Sequence, residues 1–135
     1  MIGGAGSDSL FGGVTSSDIG GNQLDMTGPN DQVGTGNSGN DYIYSSGGYD
    51  TIVSGSGIDV LSGLATSTFV INNSNDVVLS SINSETNFES SVSYTLAGGA
   101  ATLTLIGSAN IVGVGGSQNY SQIPTQLLPI VALIR

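Results

Sequence analysis

The chain of 135 residues has no cysteine, histidine, lysine or tryptophan, and its one basic residue is Arg135. Without cysteine there are no disulfides, no thiolate chemistry and no Cys-ligated zinc, so a secreted chain of this kind must take its cross-links from something else. Without histidine, Ser-His and Cys-His nucleophile systems and His-ligated zinc drop out as well. Ten acidic residues against one basic residue give a formal net charge of −9. Nucleic acid and anionic membranes are therefore not expected partners, because neither phosphate neutralisation nor a polybasic patch is on offer. The same balance argues against reading the glycine-rich loops as phosphate cradles, since neighbouring carboxylates repel phosphate. Paired carboxylates can hydrolyse glycosides, but five tyrosines and three phenylalanines make no aromatic platform around them. We expect no enzyme. No apolar run reaches the ~18 residues of a membrane helix, and no basic segment precedes an apolar stretch at the start, so membrane insertion is not expected either.

What the chain has is glycine, 22 residues of it, among Ser, Thr and Asn that break the Val, Ile and Leu residues into short runs. Only 8% of residues are charged, unlike a disordered chain, which carries many charges and few β-branched residues. The pattern suits short strands joined by tight turns, in one all-β unit of ordinary domain length.

The turns recur with a period of nine. From Gly36 the sequence divides into GNSGNDYIY, SSGGYDTIV, SGSGIDVLS and GLATSTFVI, ending at Ile71. The sixth slot holds Asp41, Asp50, Asp59 and Thr68; the fourth holds Gly39, Gly48, Gly57 and Thr66. The eighth holds Ile43, Ile52, Leu61 and Val70, and this aliphatic column continues through Leu79 and Phe88 after the acidic column has ended. A further copy, Gly3 to Phe11 with Asp8 in the sixth slot, precedes a stretch of degenerate turns over 12–35. Each slot has a physical reason. Glycines allow positive φ and let carbonyl oxygens approach closely, and carbonyl and carboxylate oxygens are the hard ligands that calcium prefers. The residues after the aspartate form a short strand whose eighth-slot side chain points inward. One such unit cannot bury that side chain alone, so successive units must coil and stack as a parallel solenoid.

These residues resemble the RTX, or haemolysin-type, calcium-binding nonapeptide repeat. The segments 68–78, 90–96 and 101–111 resemble the calcium-poor stretches that alternate with nonapeptides in large bacterial RTX proteins. The resemblance implies a right-handed parallel β-roll, a β-solenoid with calcium-binding turns, in which each coil holds two nonapeptides and stacked turns are two repeats apart. It divides the chain into a nonapeptide β-roll over 1–71 and a calcium-poor continuation with an apolar closing strand over 72–135. It implies Ca2+ as the cofactor. The expected ligands are Asp8, Asp25, Asp41, Asp50 and Asp59, with the backbone carbonyls of Gly36, Ser38, Asn40, Ser54, Ser56 and Ile58. Asp41 with Asp59 is the first expected site, Asp8 with Asp25 the second, and Asp50, facing Thr68 and the loop of Asp31, the third. Asp18, Asp31 and Asp76 read as turn aspartates bonded to their own backbone, and Glu85 and Glu89 as solvated surface.

Two roles follow. One is an extracellular structural protein, a self-assembling subunit of a surface layer, filament or matrix on a bacterial cell, because neither end of the sequence reads as a polar cap and an open solenoid stacks end to end. The other is a module that folds on meeting calcium outside the cell and so drives secretion, with which a Met1 start lacking a cleavable signal agrees.

Overall fold

In the computed structural model, residues 9–11, 23–26, 29–64, 66–80, 85–96, 102–108, 110–115, 121–122 and 131–134 are described. They form fourteen short strands: β1 (Ser9–Phe11), β2 (Gln23–Met26), β3 (Val33–Thr35), β4 (Tyr42–Ser45), β5 (Thr51–Val53), β6 (Val60–Ser62), β7 (Thr68–Ile71), β8 (Val77–Val78), β9 (Asn87–Ser90), β10 (Tyr94–Thr95), β11 (Thr102–Leu105), β12 (Val112–Gly115), β13 (Ser121–Gln122) and β14 (Val131–Ile134). No helix occurs among the described residues, so none is long and apolar enough to cross a membrane.

Every pairing is parallel and skips one strand. Odd-numbered strands make one seven-stranded sheet in chain order, and even-numbered strands make a four-stranded sheet, β2 to β8, and a three-stranded sheet, β10 to β14. The chain therefore runs up one wall, turns, runs down the other and turns again, which is a β-solenoid of two strands per coil. Among the described residues, turns that precede even strands stack along one edge, and turns that precede odd strands along the other. The coil expected from the repeat is present: Val33 pairs with Thr51, and Tyr42 with Val60, each two nonapeptides further on. Stacking of adjacent nonapeptides is excluded by the same pairings.

Strands form where the residue alternation allows one wall to face inward. In Thr51–Val53 and Val60–Ser62 the middle residue is buried and its neighbours are not. The core is a ladder of Leu24, Met26, Ile43 and Leu61 from the even wall against Ile52, Phe69, Ile71, Phe88, Leu103 and Leu105 from the odd wall. Phe69 stacks on Phe88 with centroids 5.3 Å apart, and Phe88 on Tyr94 at 6.1 Å. Such pairs add about 0.5–1.5 kcal/mol beyond burial, a useful supplement where the turns no longer carry aspartate.

Two expected core positions are corrected. Val70 is half-buried between buried Phe69 and Ile71, and Leu79 is 55% exposed while Val78 packs on the core. The step from Thr51 to Thr68, like that from Val60 to Val77, falls one residue short of two nonapeptides. That deletion moves the inward column by one position, and period-two alternation then exchanges the faces. The next odd step, Thr68 to Asn87, exceeds two nonapeptides by one residue. The two slips cancel, and Phe88 faces inward as expected, 1% exposed. The degenerate stretch also holds a strand, β3, with Gly34 rather than an aliphatic residue in the inward column beside Ile52. A Cβ at Gly34 would lie 2.9 Å from the Met26 sulfur. The flexible thioether fills the space that an aliphatic side chain would take.

Candidate metal centre

The turn 36–41 leads into β4, the turn 54–59 into β6 and the turn 72–76 into β8, all on one edge. Val60 N–H donates to Asp41 O at 2.8 Å and Val77 N–H to Asp59 O at 2.9 Å, so Asp41, Asp59 and Asp76 occupy equivalent places. On the other edge Thr51 N–H donates to Gln32 O and Thr68 N–H to Asp50 O, which aligns Gln32, Asp50 and Ser67. Ser67, not Thr68, therefore stands in the carboxylate position above Asp50, displaced by the same shortened step.

Each carboxylate reaches back to the preceding turn. Asp41 N–H donates to Asp59 Oδ1 at 2.7 Å, Asp59 N–H to Asp76 Oδ1 at 3.0 Å, and Gln32 N–H to Asp50 Oδ1 at 2.8 Å. Glycine lets the turns come this close. A Cβ on Gly57 would sit 1.5 Å from the Gly39 carbonyl oxygen, and one on Gly36 would sit 2.2 Å from Ser54 O and 2.6 Å from Asp41 Oδ2. Asn37 and Gly55, both in the second slot, have φ of 66° and 101°, and Asn is the side chain that tolerates this region best after glycine.

The second carboxylate oxygens distinguish the three aspartates. Asp59 is fully buried, and its Oδ2 has no hydrogen-bond partner. Asp76 Oδ2 accepts from Asn73 N–H at 3.2 Å, and Asp50 Oδ2 accepts from the Ser45 hydroxyl. Burial foremost, with the neighbouring charges of Asp76 and Asp41, pushes the Asp59 carboxyl up to about 6, although the Asp41 N–H opposes the rise. Burial also raises Asp50. A buried carboxylate oxygen with no donor and like charges on both sides is the environment that a bound cation relieves. Among the described residues no group of three or more acidic, His or Cys side chains converges. A cation there must complete its shell from backbone oxygens, which matches the flexible oxygen coordination of calcium.

Of the expected ligands, Asp41 and Asp59 lie on one edge and Asp50 on the other, as the two-edged coil requires. Asp8 lies outside the described residues. Asp25 does not occupy an aspartate turn position: it stands in β2 opposite Tyr44, half-buried between inward Leu24 and Met26, with Oδ1 buried and unpartnered. Asp31 accepts from Tyr49 N–H at 2.9 Å, joining stacked turns rather than its own. Asp76 is the position that the sequence reading missed. Its signal is the Asp-Val-Val that follows Asp59 at one residue less than two repeats.

The parallel, two-edged solenoid with aspartate-bearing turns defines a calcium-binding β-roll. Four copies of the RTX calcium-binding nonapeptide repeat match residues 1–14 and 27–64. Residues 1–14 and 27–64 are therefore RTX nonapeptide repeats, and such repeats bind Ca2+. No curated protein and no solved structure matches it.

Proposed function

We propose that this chain is an extracellular structural β-roll, non-catalytic, whose calcium-bearing part is 1–71 and whose calcium-poor coils over 72–135 extend the same core. The observation that carries the calcium site is the buried, donorless Oδ2 of Asp59. The ion lies between turns 36–41 and 54–59, held by Asp59 with Asp41 and by backbone carbonyls drawn from Gly36, Ser38, Asn40, Ser54, Ser56 and Ile58. It cancels charge that the fold otherwise buries, and it joins two successive coils of the solenoid.

The structural role is supported by the open architecture. Among the described residues β1 and β13 each have a pairing partner on one side only, and an unpaired parallel edge is a template for another chain. Such an edge supports end-to-end assembly into a filament or surface layer. The second reading, a calcium-triggered folding and secretion module, is favoured by the raised Asp59 carboxyl. A fold that buries it uncompensated is disfavoured where calcium is scarce and favoured where it is abundant. Circular dichroism with and without millimolar calcium tests the ion dependence. Electron microscopy of the calcium form separates the roles: filaments or sheets support the structural subunit, and monodisperse monomers support the folding module.

A further inference from the structure

The gaps between stacked turns are chemically unequal, although the repeat makes them look alike. Two kinds of oxygen can be compared from gap to gap: the fourth-slot carbonyl of the lower turn, which at Gly39 faces Gly57 of the next turn, and the carboxylate of the upper turn. Between 36–41 and 54–59 the carboxylate oxygen Asp59 Oδ2 has no donor. Between 54–59 and 72–76 every such oxygen is already taken. The Asn73 side-chain amide donates to Gly57 O at 2.6 Å, Asn73 N–H donates to Asp76 Oδ2, and Asp59 N–H donates to Asp76 Oδ1. On the other edge the Ser45 hydroxyl donates to Asp50 Oδ2 and Gln32 N–H to Oδ1. One coil further, the Thr66 hydroxyl donates to Gly48 O at 2.9 Å, and Ser67 offers a neutral hydroxyl where a carboxylate would stand.

We propose that Asn73 and Ser45 are built-in substitutes for the cation: their hydrogen-bond donors fill oxygen sites that would otherwise recruit a divalent ion, and so confine calcium, among the described turns, to the gap between 36–41 and 54–59. Thr66 completes the same closure one coil above Asp50. The substitution is chemically reasonable because a carbonyl or carboxylate oxygen satisfied by a buried N–H or O–H no longer gains from a cation. It also accounts for the end of the calcium ladder. Aspartate persists at position 76, yet the Asn73 amide makes the third turn independent of the ion. This inference rests on the calcium site proposed above.

The test is calorimetric titration of calcium into the full chain, with circular dichroism to verify the fold, for Asn73→Ala, Ser45→Ala, Asp50→Ala and Asp59→Ala. Ser45→Ala is expected to bind one more ion than the unsubstituted chain, and to melt lower than it in EDTA but recover in calcium. Asn73→Ala frees only Gly57 O, because the N–H on Asp76 Oδ2 belongs to the backbone, and is expected to melt lower in EDTA with no added ion. Asp50→Ala is expected to leave the number of bound ions unchanged. Unchanged stoichiometry in folded Ser45→Ala, or loss of an ion in Asp50→Ala, overturns the proposal. If Ser45→Ala does not fold, Asp50→Ala decides. Asp59→Ala reports on the underlying site separately: if it retains every ion, the site between 36–41 and 54–59 is wrong whatever the other variants do.

Discussion

Replacing Asp59 by Asn should change stability in opposite directions with and without calcium. In the metal-free protein the carboxyl stands at about 6 rather than the ordinary 3.8. At about 1.4 kcal/mol per pH unit, that difference opposes folding by about 3 kcal/mol at neutral pH. The sign is that of a raised carboxyl: its contribution to stability is fully present below 3.8 and is lost as the pH rises through about 6. Asn keeps the acceptor that receives Asp41 N–H and removes the charge, but leaves an amide buried where Oδ2 was, a penalty of about 1–2 kcal/mol. The net expectation is that Asp59→Asn is more stable than the parent in EDTA at pH 7 by about 1–2 kcal/mol, and less stable than it by about 1 kcal/mol at pH 4, where most of the charge penalty is gone and the amide penalty remains. In calcium the order reverses, because the parent gains about 2.7 kcal/mol at a hundredfold excess over Kd and the variant loses the charged ligand. Urea unfolding followed by circular dichroism, in EDTA and in calcium at both pH values, measures all four quantities. Destabilisation of the variant in EDTA at pH 7 would refute the reasoning, since it would mean that the carboxylate is already satisfied by the protein.

Calcium should stabilise far more than magnesium, because a shell made largely of turn carbonyls is too large and too flexible for a strict octahedron at about 2.1 Å; equal rises in melting temperature would count against the site. Phe69→Ala should lower stability by about 3–5 kcal/mol, whereas Leu79→Ala should change it by less than about 0.5 kcal/mol. The reverse order in urea unfolding would show that the shortened step is misplaced. Gly57→Ala should weaken the calcium response even though no ligand side chain is touched, because its Cβ would fall 1.5 Å from the Gly39 carbonyl oxygen. An unaltered calcium titration would mean that the two turns are not stacked this closely.

The regular spacing of glycine, aspartate and aliphatic residues in nonapeptides was enough to determine a parallel solenoid with calcium turns, the burial of Ile43, Ile52, Leu61 and Phe88, and the placement of Asp41 with Asp59. These features are periodic and local, and a period is legible without coordinates. What the sequence left undetermined arises wherever the period slips. One residue fewer between Thr51 and Thr68, and again between Val60 and Val77, turns Val70 and Leu79 away from the core, brings Ser67 above Asp50, and promotes Asp76 to the aspartate column. A displaced or missing match in sequence carries no sign of whether a strand shifts or a turn shortens; only the pairing of backbone groups chooses. Asp25 was assigned by near-periodicity and stands instead in a strand, because register there is set by Leu24 and Met26 seeking the core. The inequality of the gaps was likewise beyond the sequence. Whether Asp50 or Asp76 retains an oxygen for an ion depends on the Ser45 hydroxyl and on the Asn73 backbone N–H, and those contacts depend on positions in three dimensions that no repeat pattern encodes.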